Sequence, residues 1–380
     1  MRPRTSSSDT VARVTARVPF LDLRRETRAL REDLRGAFER VLDSGIFLFG
    51  PELEALEAEI AQASGVPYAI GVASGTCALE IMLLAHGLGP GDQVITTAAS
   101  FYATAKAIDL VGADVVFADI DPDHYNLDPA RVEAAIGPRT RAILLVHLYG
   151  CPGPVRELRE IADRHGLLLL EDAAQAFGAR VAGRPVGSWG DSAVLSFYPT
   201  KTLACLGDAG AVLTRHSQVA DRARSLRFLG SMGRRDHFGE KGVSGRMDEI
   251  QAAVLRIKLR HTEGHLERRR ALAQGYDRLL PPQLVRPAPR PEVEPVYYLY
   301  VIRCPDRDRL FEFLRARGIG CEIHYQVPLH HQELFARGAP ELPVTDLWSR
   351  EVLSLPAYPY LEAAEHERVI DSVKSFTATS

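Results

Sequence analysis

Between residues 65 and 215 short apolar runs alternate with longer amphipathic ones, and no other feature of this 380-residue chain restricts its fold so strongly. The runs Tyr68–Val72, Gln93–Thr97, Asp114–Ala118, Ala142–Leu148, Leu167–Glu171, Ala193–Phe197 and Ala211–Thr214 have the length and composition of buried strands. Between several of them apolar residues recur at helical spacing, in Thr76–His86, Ala103–Leu110, Pro129–Ala135 and Val155–His165. Strands alternating with helices predict an α/β fold with a mostly parallel, seven-stranded central sheet flanked by helices. In such sheets ligands sit beyond the carboxyl ends of the strands, so chemistry is to be sought there.

The rest of the chain sorts around this unit. Residues 1–17 are rich in Arg, Ser and Thr and lack apolar periodicity; a frayed tail is expected, although a targeting leader shares that composition. A large domain is expected over 18–255. From Arg246 to about Leu280 the pattern is helical, and Pro281–Pro295 then carries six prolines, which no helix interior accepts. A strand over Tyr297–Arg303, a helix over Arg307–Arg317 ending at Gly318, and a strand over Gly320–Tyr325 predict a smaller α+β domain over 256–380. The formal net charge of −3 provides no basic field for nucleic acid, and no apolar run approaches the roughly 18 residues of a membrane span. Five scattered cysteines without a CxxC pair suggest reduced thiols in a cytoplasm, and no metal centre is expected.

Three features fall at strand ends. In Gly71–Glu80 a strand runs through Ser74-Gly75-Thr76 straight into an apolar helix, which makes either an ordinary helix cap or a phosphate cradle. Leu167–Leu170 lead into Glu171-Asp172, and a carboxylate there must be paired, cap the next helix or serve a function. In Ser196–Val212 a turn holds Lys201, one of only five lysines. A lone loop lysine is ordinarily solvated. Together, though, an amine, a buried anion and a phosphate-binding helix start are what pyridoxal 5'-phosphate (PLP) requires.

At this point the sequence resembles the DegT/DnrJ/EryC1/StrS sugar aminotransferases, of PLP-dependent fold type I. The likeness runs from about Val18 to Leu361 through SGTCALE, EDAAQAFGA, SFYPTKTLACLGDAG, SGRMDEIQAAVLRIKL and IHYQVPLH, in family order. The resemblance implies that Lys201 carries the cofactor and Asp172 pairs with its ring nitrogen. It implies further contacts from Gln175 near the ring hydroxyl, Phe101 on the ring face, and Ser196, Gly75 and Thr76 at the phosphate. Ser244 stands where the family usually has an Asn that reaches a phosphate across a dimer interface. His324 and Tyr325 match a segment near the substrate, although a packed His and Tyr is an equal reading. Thr202, Gln326 and Tyr298 also depart from common family residues. Arg234-Arg235 and Arg268–Arg270 are either diphosphate contacts or solvated faces, and His147 reads as structural.

The implied activity is transfer of an amino group from L-glutamate to a keto group of a dTDP-linked 6-deoxyhexose, in amino-sugar biosynthesis of a bacterial natural product or glycan. The wording of TLACLGDAG and SGRMDEIQAA resembles members acting at carbon 3 more than those acting at carbon 4. Amination of a keto-cyclitol is the second enzymatic reading. A sugar-dehydrating branch has His in place of the lysine, and Lys201 sets this chain apart from it. The rival of another class is a non-catalytic regulatory homologue, against which intact Lys201, Asp172 and Ser196 weigh. A homodimer with shared sites is the implied assembly, without nucleic-acid or membrane partners.

Overall fold

The computed structural model describes residues 17–234, 236–286, 288 and 290–379. Most of the expected tail (1–16) and Arg235 lie outside them. Seven strands make the central sheet: β1 (Tyr68–Val72), β2 (Gln93–Thr97), β3 (Asp114–Ala118), β4 (Thr140–Val146), β5 (Leu168–Asp172), and, after a small hairpin of β6 (Arg180–Val181) and β7 (Arg184–Pro185), β8 (Ser192–Ser196) and β9 (Gly210–Thr214). Their order is β1-β9-β8-β5-β4-β2-β3. All pairings are parallel except those of β9, which runs against both its neighbours.

The near-continuous apolar runs follow from burial on both faces. Alternate residues feed two cores. Ile95, Ile143, Leu145, Leu169, Leu195 and Leu213 pack into one, and Val94, Leu144, Leu170, Val194 and Val212 into the other. Beyond the sheet, Tyr276, Tyr300, Ile302, Leu310, Leu353 and Val369 build a further core. Val18 and Leu21, which head the span assigned to the large domain, pack into this C-terminal core.

Several expectations need correction. The helical stretch after Arg246 is two helices, Glu249–Leu259 and Thr262–Leu279, broken at Arg260-His261. Gly320–Tyr325 is not a strand; only Glu322 bridges, to Ser354. The strand Tyr300–Arg303 pairs instead with Val352–Leu355, whose short apolar run follows directly on helix Pro343–Glu351. β4 stops at Val146, because Leu148–Gly150 turn in a tight helical bend with Tyr149 at φ 60°.

Close approach of backbone at β9 brings the sheet to the site. A Cβ on Gly210 would stand 2.5 Å from the carbonyl of Ser74 and 2.7 Å from the amide of Gly75. Only glycine lets β9 lie against the start of helix Gly75–Ala85. Gly210→Ala is therefore expected to cost about 1–3 kcal/mol through overpacking. A urea melt checks this, and an unchanged midpoint would contradict it.

Candidate active site

Helix Gly75–Ala85 starts where β1 ends. Ser74, in extended conformation, caps it by accepting a hydrogen bond from the Cys77 amide at 3.1 Å. The first amides of any helix lack an internal acceptor and carry its positive end. Opposite them, at the end of β8, lies Ser196. A Cβ on Gly75 would meet the Ser196 Cβ at 2.6 Å and its Oγ at 2.9 Å, so the glycine leaves a cradle rimmed by amides and a hydroxyl.

Asp172 ends β5. Its Oδ2 accepts from Thr104 Oγ1 at 2.8 Å and its Oδ1 from the Ala174 amide at 3.2 Å. Thr104 in turn shares a hydrogen bond with Ser100 at 2.9 Å. Burial raises the Asp172 pKa above the usual value, outweighing these bonds and the charge of Lys201. Its neighbour Glu171 points to the other face of the sheet and fares differently. Burial alone would raise it too, but His147 Nε2 at 2.9 Å and the amides of Gly187, Trp189 and Gly190 hold it below the ordinary range. His147 Nδ1 accepts from the Gly153 amide, so Nε2 carries the proton that Glu171 accepts. Both residues are thus structural.

Lys201 sits in the turn after β8, its amide bonded to the Tyr198 carbonyl at 2.9 Å. Its Nζ lies 4.5 Å from the centre of the Tyr298 ring, whose hydroxyl meets Thr200 Oγ1 at 3.0 Å. Gln175 is held by Tyr149, whose amide donates to its Oε1 at 2.8 Å; Gln175 Nε2 donates to Tyr325 OH at 3.2 Å. Burial pushes the Tyr325 phenol up. His324 Nδ1 meets Ser354 Oγ at 2.9 Å, and burial with the Lys201 charge pushes its pKa down to about 4, so it is neutral near pH 7. Phe101 is 54% exposed and tilts toward Tyr325, ring centres 6.0 Å apart.

Gly75, Thr76, Phe101, Asp172, Gln175, Ser196, Lys201, His324 and Tyr325 all line one cavity of about 400 Å³. Ser244 does not. It is exposed, bridges Phe228, and accepts from Arg246 at 2.8 Å. Sequence reasoning missed Thr104, Thr200 and the Tyr149 amide, and treated Tyr298 as a mere departure. The Ser100/Thr104 spacing at a helix start was a usable signal; the Tyr149 contact depends on a left-handed turn that spacing does not reveal. Of the arginines considered, Arg269 is buried and donates to the carbonyls of Tyr297, Tyr298 and Ala357, a structural role.

The residues fit PLP on structural grounds: a cradle that a Cβ would fill, a buried carboxylate short of a cation, and an amine on the same cavity. Comparison with known proteins agrees. The model of the DegT/DnrJ/EryC1/StrS aminotransferase family matches residues 28–374. The dTDP-3-amino-3,4,6-trideoxy-alpha-D-glucose transaminase of Streptomyces venezuelae is 47% identical over 367 residues, 95% of this chain and 97% of that one. The crystal structure of S. venezuelae DesV superposes with a TM-score of 0.93 at 46% identity, covering 95% and 99% of the two chains. NtdA of Bacillus subtilis, solved with bound cofactor PMP, gives 0.89 at 30% identity over 96% and 86%.

The two adjacent carboxylates should respond oppositely to neutralisation in protein stripped of small molecules. With its folded pKa raised, Asp172 contributes stability at low pH that is lost as pH rises through that value. Glu171, with its folded pKa lowered, contributes above the unfolded value and loses that contribution as pH falls. At pH 7, Asp172→Asn should raise the melting temperature and Glu171→Gln lower it; shifts of the same sign would refute the electrostatic assignment.

Proposed function

We propose, from the fact that the chain belongs to the DegT/DnrJ/EryC1/StrS aminotransferase family, that it transfers an amino group from L-glutamate to carbon 3 of a dTDP-linked keto-6-deoxyhexose. The convergence of Lys201, Asp172 and the Gly75–Thr76 helix start on one cavity carries the PLP chemistry. Nearly half-identity along the whole length to a 3-amino-deoxysugar transaminase supports the substrate.

When bound, PLP supplies an aldehyde for the amine and a cationic ring that takes up electron density from a carbon losing its proton. Lys201 Nζ holds the cofactor and, once freed, takes the proton from the donor carbon and returns it in the second half-reaction. Asp172 pairs with the ring nitrogen, and that cation relieves the burial penalty on its carboxylate. Ser196 Oγ and the amides of Gly75 and Thr76 hold the phosphate. Gln175, oriented by the Tyr149 amide, serves the ring hydroxyl, and Phe101 covers the ring face. Neutral His324 and Tyr325 face the sugar.

Ser244 acts on the cofactor of a second copy. The exposed run Ile46–Phe49 supports such a dimer, because Phe49 stacks edge-on against Phe228, the bridge partner of Ser244, at 5.6 Å. The apolar run and Ser244 therefore share a face. A cofactor-binding unit over 18–255 and a smaller one over 256–380 complete the assignment. We set the reaction in the cytoplasm, consistent with five unpaired cysteines; no helix among the described residues is long and apolar enough to cross a membrane.

Lys201→Ala should remove both the visible cofactor band and turnover, while the wild-type band shifts on adding glutamate. An inert regulatory protein would show no shift. A panel of keto-sugar nucleotides and keto-cyclitols assayed with glutamate, with NMR of the products, should give amination at carbon 3. A carbon-4 or cyclitol product would refute the substrate assignment.

A further inference from the structure

A second cluster of ligand-bearing side chains lies at the neighbouring strand ends. The turn Leu329–His331 hangs on β2, through the Leu329 amide and the Ala98 carbonyl at 2.9 Å. The start of helix Pro343–Glu351 hangs on β3, because Asp119 just beyond it accepts from the amides of Val344 and Thr345 and from Thr345 Oγ1. β2 and β3 pair in parallel, Thr97 beside Ala118. Adjacent strands stand about 4.8 Å apart, so the turn and the helix are brought side by side. Leu329, Leu342, Ala98 and Phe117 fill the space beneath them.

Above that apolar floor, His330, His331 and Asp346 offer ligand atoms within 4.8 Å of one another. His331 Nε2 lies 2.8 Å and His330 Nε2 3.1 Å from the same oxygen, Asp346 Oδ1. The two imidazole rings are 4.0 Å apart. His330 is 3% exposed, yet neither of its ring nitrogens makes a hydrogen bond among the described residues. The Asp346 oxygen is near its Nε2 but off the N–H direction. A buried imidazole without partners is costly. His331 Nε2 shares a hydrogen bond with Asp346 Oδ1, while His330 Nε2 faces the same oxygen without one, so two nitrogens and an oxygen converge on one point, an arrangement that suits a shared cation. Two ligands each about 2.1 Å from a tetrahedral zinc stand about 3.4 Å apart, so the ion would need the two nitrogens to draw back from Asp346 Oδ1 by only about 0.3–0.6 Å.

We propose that His330, His331 and Asp346 bind one divalent transition-metal ion, with zinc the best fit, which clasps the Leu329–His331 turn to helix Pro343–Glu351. Two imidazoles and one carboxylate suit zinc over magnesium, which prefers all-oxygen octahedral sites. Exposure of His331 gives the ion an entry path and leaves a position for water. The role is structural. The clasped turn follows Tyr325 by four residues, so the ion fixes the segment that forms one wall of the Lys201 cavity. His330-His331 and Asp346 are too far apart in sequence for a spacing motif to reveal them.

The test is titration calorimetry of the full-length, cofactor-loaded protein with zinc chloride, after removal of any affinity tag. One ion per chain is expected, with a rise in melting temperature on adding zinc. His331 is exposed, so His331→Ala should fold normally; it and Asp346→Asn should each weaken binding by at least about tenfold and remove the thermal shift. Failure of the wild type to bind zinc overturns the proposal. So does binding to His331→Ala with unchanged affinity, or equal binding of magnesium.

Discussion

A carboxylate held out of water without an ion-pair partner in contact among the described residues is the constraint on which the rest of this architecture depends. Asp172 is buried at the end of a central strand, with one hydroxyl and one amide as its hydrogen-bond partners. In isolation that arrangement opposes ionisation, and the folded chain tolerates it because the surrounding sheet is rigid and packed on both faces. The site is therefore suited electrostatically to a cation, and Lys201, Gly75 and Gln175 line the same cavity as Asp172.

The same strand shows how one geometry yields two opposite outcomes. Side chains alternate across β5, so Glu171 and Asp172 enter different layers. Glu171 meets three amides from the β7–β8 connection and a histidine whose tautomer is set by Gly153. It is satisfied and structural. Asp172 meets Thr104 in the first turn of helix Tyr102–Leu110, whose start lines the cavity. The difference lies in partners, since both are buried.

Most of the large layer was legible because its signal is local. Tyr68–Val72, Gln93–Thr97 and Asp114–Ala118 are strands at the expected residues, since buried parallel strands carry their hydrophobic pattern in the run itself. The C-terminal part was less legible. Gly320–Tyr325 has the composition of a strand, but its backbone is drawn into the site, where the Tyr149 hydroxyl donates to the His324 carbonyl and His324 leans on Ser354. Tertiary contacts override propensity there. Lys201 and Asp172 stood out in the sequence because few residue types do the chemistry proposed for them, and the structure places both on one cavity. Tyr298 did not, because a ring gains its role only from the distance to a neighbour, and Thr104 left no trace beyond its four-residue spacing from Ser100.

The proposed function depends on one covalent bond, between the Lys201 amine and the cofactor. Borohydride reduction of the purified, PLP-reconstituted protein, followed by peptide mapping, tests it most directly. A single stable phosphopyridoxyl adduct on the peptide containing Lys201 is predicted. No adduct, or one confined to Lys106, Lys241, Lys258 or Lys374, would contradict it.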